Sequence, residues 1–260
     1  MLILLPPSEG KATPGSGSPL DPGALSLPDL TPVRERVLES LVALCAGGDD
    51  EHARQVLGLS VGQAGEVGRN ARLREAAAAP AGEIYTGVLY DALDLAALSP
   101  SGYDLLERSV LVFSGLWGAV RLSDRIPPYR CSIGVKLPEV GPLGTYWRRA
   151  MAAELTAAAG DRLVLDLRSG AYAAMWTPRG GTAERAVTVR VIHERVVDGV
   201  AKRSVVSHFN KATKGRLVRD LAVAGAEPAS PAELLTALRD LKYTVEERGP
   251  GQLDVVVAEL

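Results

Sequence analysis

The stretch SGLWGAVRLSDRIPPYRCSIGVK, residues 114–136, decides how this chain reads. It follows Ser109-Val110-Leu111-Val112-Phe113, an apolar run with the length and composition of a buried strand, and leaves it through Ser114-Gly115. Four bases follow, Arg121, Arg125, Arg130 and Lys136, with Asp124 as the only acid among them. Pro127-Pro128 forbids regular helix or central strand there, because proline fixes φ and donates no backbone hydrogen bond. A rigid, cationic, irregular segment after a buried strand is a place for binding groups. It is equally readable as a surface connection with solvated arginines.

Working outward, two other apolar runs end in the same way. Leu2 to Leu5 gives way to Pro6-Pro7-Ser8-Glu9-Gly10-Lys11, and Leu163 to Leu167 gives way to Arg168-Ser169-Gly170-Ala171-Tyr172. Continuous apolar runs suit strands covered on both faces, and ligands of open α/β sheets bind beyond the carboxyl ends of their strands. Gly10-Lys11 lacks the upstream glycine and following helix of a phosphate-binding P-loop. The N-terminal run is too short for a signal segment or membrane span and reads as a first strand.

Between these strands the pattern is helical. A helix is expected over 32–46, with Thr31 as N-cap, Pro32 at the first position and Gly47-Gly48 as the stop. Others are expected over 50–57, 62–79 (including the alanine tract 76–79), 89–98, 103–108 and 144–159, with a short strand over 133–137. Residues 186–197 alternate as a half-exposed strand, Asp198-Gly199 signals a turn, and 202–208 reads as the return strand. A helix from Asn210, a second over 232–241 and a hairpin of 243–247 with 253–257 finish the chain. The expected fold is mixed α/β: one domain over 1–260 with a central mixed sheet, helices around it, and a helix-hairpin-helix-like element near the C-terminus.

From Lys202 to Arg219 there are six bases and no acid. At about 100° per residue, Lys214 shares the helix face set by Leu217, Val218 and Leu221, and Lys211 lies at its margin, while Arg216 and Arg219 point elsewhere. An inward lysine needs an anion or carboxylate to meet it.

Composition narrows the classes. The chain has 260 residues, 47% hydrophobic and 23% charged, with net charge −2. That is a globular composition without a wholly basic nucleic-acid coat, although a local basic groove is compatible with it. Cys45 and Cys131 are too few for a disulfide framework, so the expected compartment is the cytoplasm, with no membrane association. There is no H-E-x-x-H, cysteine-histidine metal spacing, EF-hand loop, G-x-G-x-x-G or G-x-S-x-G, so no metal or cofactor is expected.

Several blocks in order give the chain a resemblance to the YaaA family of peroxide-stress proteins. They are Leu2 to Lys11, Gly82-Glu83-Ile84-Tyr85-Thr86-Gly87, Phe113 to Arg121 with Pro128-Tyr129-Arg130, Trp147, Asp166 to Tyr172, and Ser207 to Gly215. The resemblance implies a cytoplasmic role in limiting oxidative damage, linked to low free iron, and DNA binding through a positively charged cleft with a helix-hairpin-helix. The family hairpin carries a glycine pair, whereas this chain has Gly225 alone in residues 224–231, so weak duplex binding is expected.

Two functional expectations follow. The first is DNA-associated protection against peroxide. The second is an enzyme acting on a nucleotide-like or other small anionic substrate. Its pocket would be lined by Lys11, Arg121, Arg130, Asp166, Tyr172, Lys211 and Lys214, with Ser169 beside them. Arg121, Arg130 and Lys211 would bind the anion. Lys214 or Tyr172 would transfer a proton, oriented by Asp166. Arg216 and Arg219 are candidates for contact with an extended partner. A purely structural scaffold of ion pairs is the third reading.

Overall fold

The computed structural model describes residues 1–197, 200–205 and 207–258; the expected Asp198-Gly199 turn lies outside them. In chain order the strands are β1 (Leu2–Leu5), β2 (Ala79–Pro80), β3 (Val110–Ser114), β4 (Gly118–Val120), β5 (Arg125–Ile126), β6 (Lys136–Leu137), β7 (Gly141–Pro142), β8 (Val164–Asp166), β9 (Ala186–Val197), β10 (Val200–Ser204), β11 (Thr244–Gly249) and β12 (Gln252–Ala258). The helices are α1 (Thr31–Ala46), α2 (Asp50–Val56), α3 (Gly65–Ala71), α4 (Ala81–Ile84), α5 (Val88–Leu93), α6 (Pro100–Ser109), α7 (Leu143–Ala150), α8 (Ala152–Ala159), α9 (Gly170–Ala173), α10 (Gly181–Glu184), α11 (Ser207–Val223) and α12 (Pro231–Asp240).

One mixed sheet of eight strands organises the molecule, in the order β11-β12-β9-β8-β1-β3-β4, with β10 paired to β9. β1 lies parallel between β3 and β8, in register Leu4 with Leu111 and with Asp166. All four β1 residues are buried, as are the five of β3. The apolar runs are therefore the covered centre of the sheet, and their carboxyl ends open at one edge. β4 turns back antiparallel on β3, pairing Ser114 with Gly118 and Val112 with Val120.

That tight return depends on Gly118, whose φ is +73°; a Cβ there would lie 2.7 Å from the Trp147 ring. Trp147 Nε1 donates to the Gly115 carbonyl at 2.8 Å. From the other side, fully buried Arg34 of α1 donates to the carbonyls of Trp117 (3.0 Å), Ala119 (2.7 Å) and Leu27 (3.2 Å). Burial lowers the Arg34 pKa to about 10, against the pull of Asp124 and Glu154.

Several elements differ from the sequence expectations. α3 stops at Ala71, and the alanine tract turns away: Ala78 donates to the Ser18 carbonyl and Ala79-Pro80 pairs with Arg125-Ile126. Proline disfavours helix at the residue before it, and tertiary pairing overrides alanine's propensity. Thr31 is not a cap, because a 3₁₀ turn at Pro28–Leu30 precedes it and gives it helical angles. The helix expected over 144–159 is two, meeting at Met151 (ψ −9°). The helix expected over 89–98 ends at Leu93, where Asp94 takes a left-handed φ of 49°. The return strand ends at Ser204 and α11 starts at Ser207, three residues before Asn210; the strand expected over 133–137 shrinks to Lys136–Leu137.

α11 and α12 are joined by residues 224–230. The Ala224, Gly225 and Ala226 amides donate to the carbonyls of Asp220, Ala222 and Leu221. The Ala229 amide donates to Glu233 Oε2. These amides complete a helix C-terminus and an N-cap.

Candidate functional site at the carboxyl edge of the central strands

Beyond β1 the chain turns through residues 6–11 and brings Lys11 back under the edge, where it forms a backbone bridge with Tyr85. The Lys11 ammonium donates to the Ser8 carbonyl at 3.0 Å and lies 4.1 Å from the Tyr129 ring centre and 5.5 Å from that of Tyr85. Burial lowers its pKa to about 8, opposed by Glu9 and reinforced by Arg130. A lysine shielded from water in this way is a group whose charge is set by what comes next to it.

Beneath it, three buried hydroxyls join into a chain. Ser114 Oγ is 2.6 Å from Tyr129 Oη, which is 2.9 Å from Tyr85 Oη. Ser114 Oγ also accepts the amides of Leu116 and Trp117. Both its lone pairs are thereby used, so its proton points to Tyr129 and the chain runs one way. Burial raises the pKa values of both tyrosines.

Arg130 is placed by Asn70, itself fully buried. The Asn70 amide donates to the Arg130 carbonyl at 2.8 Å and accepts the Arg130 N–H at 2.9 Å. The guanidinium then reaches the 6–11 loop, donating to the Glu9 carbonyl at 3.1 Å and pairing with its carboxylate at 2.8 Å. Lys211, exposed on α11, lines a pocket of about 240 Å³ with Pro7, Ser8, Glu9, Thr86 and Tyr90. A larger cavity of about 500 Å³ shares Thr86 and Tyr90 with it, and Glu83, Asp91 and Asp94 line it.

The loop after β8 supplies the second half of the edge. Lys214 is half-buried and donates to the Leu167 carbonyl at 3.0 Å. Burial lowers its pKa, with Asp166 opposing. Both Asp166 oxygens are engaged by Arg168, at 2.8 and 2.6 Å, and this buried guanidinium also bonds the Tyr172 and Trp176 carbonyls and stacks 4.2 Å over Phe113. Tyr172 is pushed up to about 12 by burial and by Glu9, with the Ile133 amide opposing.

The structure thus gathers Lys11, Arg130 and Lys211 around the loop after β1, and Asp166, Tyr172 and Lys214 around the loop after the adjacent β8. Ser169 is exposed at the start of α9. Arg121 is not part of this group: the antiparallel return of β4 carries it to the opposite end of β3, where it donates to the Glu107 carbonyl. Arg219 pairs with Asp94 at 3.4 Å, and Arg216 is exposed. Arg168 was not singled out from the sequence as a site residue. Its signal is a base two residues after an acid at the end of an apolar strand. The arrangement as a whole offers ammonium and guanidinium groups, partly desolvated, to an anion.

Comparison with known proteins places the family. The family model described as "Peroxide stress protein YaaA" matches residues 1–249. A UPF0246 protein of Streptomyces coelicolor is 61% identical over 266 residues, covering 100% of both chains. One of Corynebacterium efficiens is 44% identical over 248 residues, covering 95% of each. An uncharacterized protein of Campylobacter jejuni is 26% identical over 219 residues, covering 84% of this chain and 83% of its own. With a family match across nearly the whole length and full-length relatives well above 30% identity, this chain belongs to the peroxide stress protein YaaA family.

Proposed function

We propose that the protein acts in the cytoplasm against peroxide damage by holding a small phosphate-bearing ligand at the carboxyl edge of β1, β3 and β8. The observation that carries this reading is Lys11. Lys11 is half-buried; its ammonium bonds one carbonyl, faces the Tyr129 and Tyr85 rings, and meets no carboxylate within ion-pair distance among the described residues. A buried cation without a counter-charge is costly, and an incoming anion would relieve that cost. Lys214 repeats the design at the neighbouring strand, on the Leu167 carbonyl. Free, buried Cys45 and Cys131 are consistent with a reducing compartment.

A second reading, DNA held along α11, draws support from exposed Lys211 and Arg216 in the acid-free run. The helix–connection–helix element adds little to it. The amides of Ala224, Gly225, Ala226 and Ala229 are already bonded, and Glu227, Glu233 and Asp240 surround the connection.

The test is a ³¹P NMR titration of the purified protein with phenyl phosphate. Saturable one-to-one binding is expected, and Lys11→Met should weaken it by about tenfold or more, in the range for a charge-assisted hydrogen bond. In parallel, cells lacking the gene should regain peroxide survival with the wild-type chain but not with Lys11→Met. Equal binding by a folded Lys11→Met protein would refute the assignment.

A further inference from the structure

Arg130 already has an acidic partner. Arg130 is anchored at its peptide by buried Asn70, from which its side chain extends toward the 6–11 loop. What it meets there is Glu9, through the carbonyl at 3.1 Å and the carboxylate at 2.8 Å. The Glu9 side chain is 63% exposed and that of Arg130 22%. The acid therefore reaches in from solvent to a base that is seated in the protein. Glu9 lies on the loop that also carries Lys11 and lines the 240 Å³ pocket with Lys211. A single carboxylate oxygen on the guanidinium is the kind of charged acceptor that a phosphate oxygen would be in its place.

We propose that Glu9 is a built-in competitor, and that a phosphate-bearing ligand enters by displacing its carboxylate from Arg130. This rests on the phosphate-binding reading above and adds the device that restrains it. Tethered to the same loop, the carboxylate competes at a high effective concentration. Its effect on any anion is one common factor, the fraction of molecules in which Arg130 is unmasked. An exposed ion pair of this kind corresponds to a factor of up to about five, and it weakens with salt. Direct repulsion by Glu9 would act differently, penalising a dianion more than a monoanion.

The experiment is a ³¹P NMR titration of phenyl phosphate, a dianion near pH 7.5, and dimethyl phosphate, a monoanion. It uses the full chain as wild type, Glu9→Gln, Arg130→Ala and the double variant. Glu9 is exposed, so Glu9→Gln keeps the fold, and thermal unfolding checks this. Glu9→Gln should bind both ligands about threefold tighter, by the same factor, and the gain should vanish in the Arg130→Ala background. Three outcomes overturn the proposal: no gain, a gain that survives Arg130→Ala, or a clearly larger gain for phenyl phosphate. If neither wild type nor Glu9→Gln binds phenyl phosphate, the phosphate-binding reading falls as well. Wild-type binding that is lost in Lys11→Met but unchanged in Glu9→Gln overturns the competitor alone.

Discussion

Lys11 makes a pH prediction that separates it from a surface lysine. The protonated amine attracts the anion, and burial brings its pKa to about 8 rather than the ordinary ~10.4. Affinity for phenyl phosphate should be nearly full at pH 7, fall about twofold by pH 8, then decline toward tenfold per pH unit above that, until the pKa of the complex is reached. Lys11→Met should lack this limb. A wild-type profile level to pH 10 would show that the ammonium is not the holding group. At this scale the sequence was partly readable. The half-buried position of Lys214 follows from its spacing to Leu217, Val218 and Leu221, all of which are fully buried. The removal of Arg121 from the group was not readable, since it depends on the antiparallel direction of a three-residue strand. Nor was the Arg168–Asp166 pair, because strand spacing does not say which side chains turn back onto each other beyond the strand end.

Elements were readable where periodicity was strong and unopposed. Residues 186–197 form β9 with the expected bounds, because their alternating valines suit a sheet with one covered face. The expected helix over 62–79 was cut short because its alanines are recruited by long-range partners, Ser18 and β5, which local propensity does not register. The α11–α5 crossing is likewise a tertiary event, and Gly215 sets it. A methyl group there would fall on the Leu89 carbonyl oxygen and lie 3.0 Å from Ala92 Cβ. Overfilled contacts of this type cost about 1–3 kcal/mol. Gly215→Ala should therefore lower the urea midpoint without changing the slope. By displacing the adjacent Lys214, it should also weaken phenyl phosphate binding. An unchanged midpoint would show that α11 can move off α5 freely and that the crossing does not fix the site.

Charge distribution over the whole molecule bears on how DNA would be met. The chain is net negative by two, and many of its arginines are already paired: Arg54 with Glu51, Arg69 with Glu66, Arg74 with Glu35, Arg108 with Glu227, Arg190 with Asp254, Arg203 with Glu246 and Arg219 with Asp94. Among the described residues, the lysines near the edge that lack such a carboxylate are Lys11, Lys211 and Lys214, at the β1–β8 end of the sheet or on α11 beside it. Such a cluster is large enough for one or a few phosphates and too small to track a duplex. Each phosphate neutralised contributes about −0.9 to the slope of log K against log salt for B-DNA. About three contacts would give a slope near −3, and Lys11→Met should make it shallower by about one unit. Phenyl phosphate should displace the duplex, because both would use the same cations. A slope near −8 that is insensitive to Lys11→Met would mean that DNA lies on an extended surface elsewhere. In that case the cleft and the DNA site would be separate features of the protein, and the Glu9–Arg130 contact would govern only the small ligand.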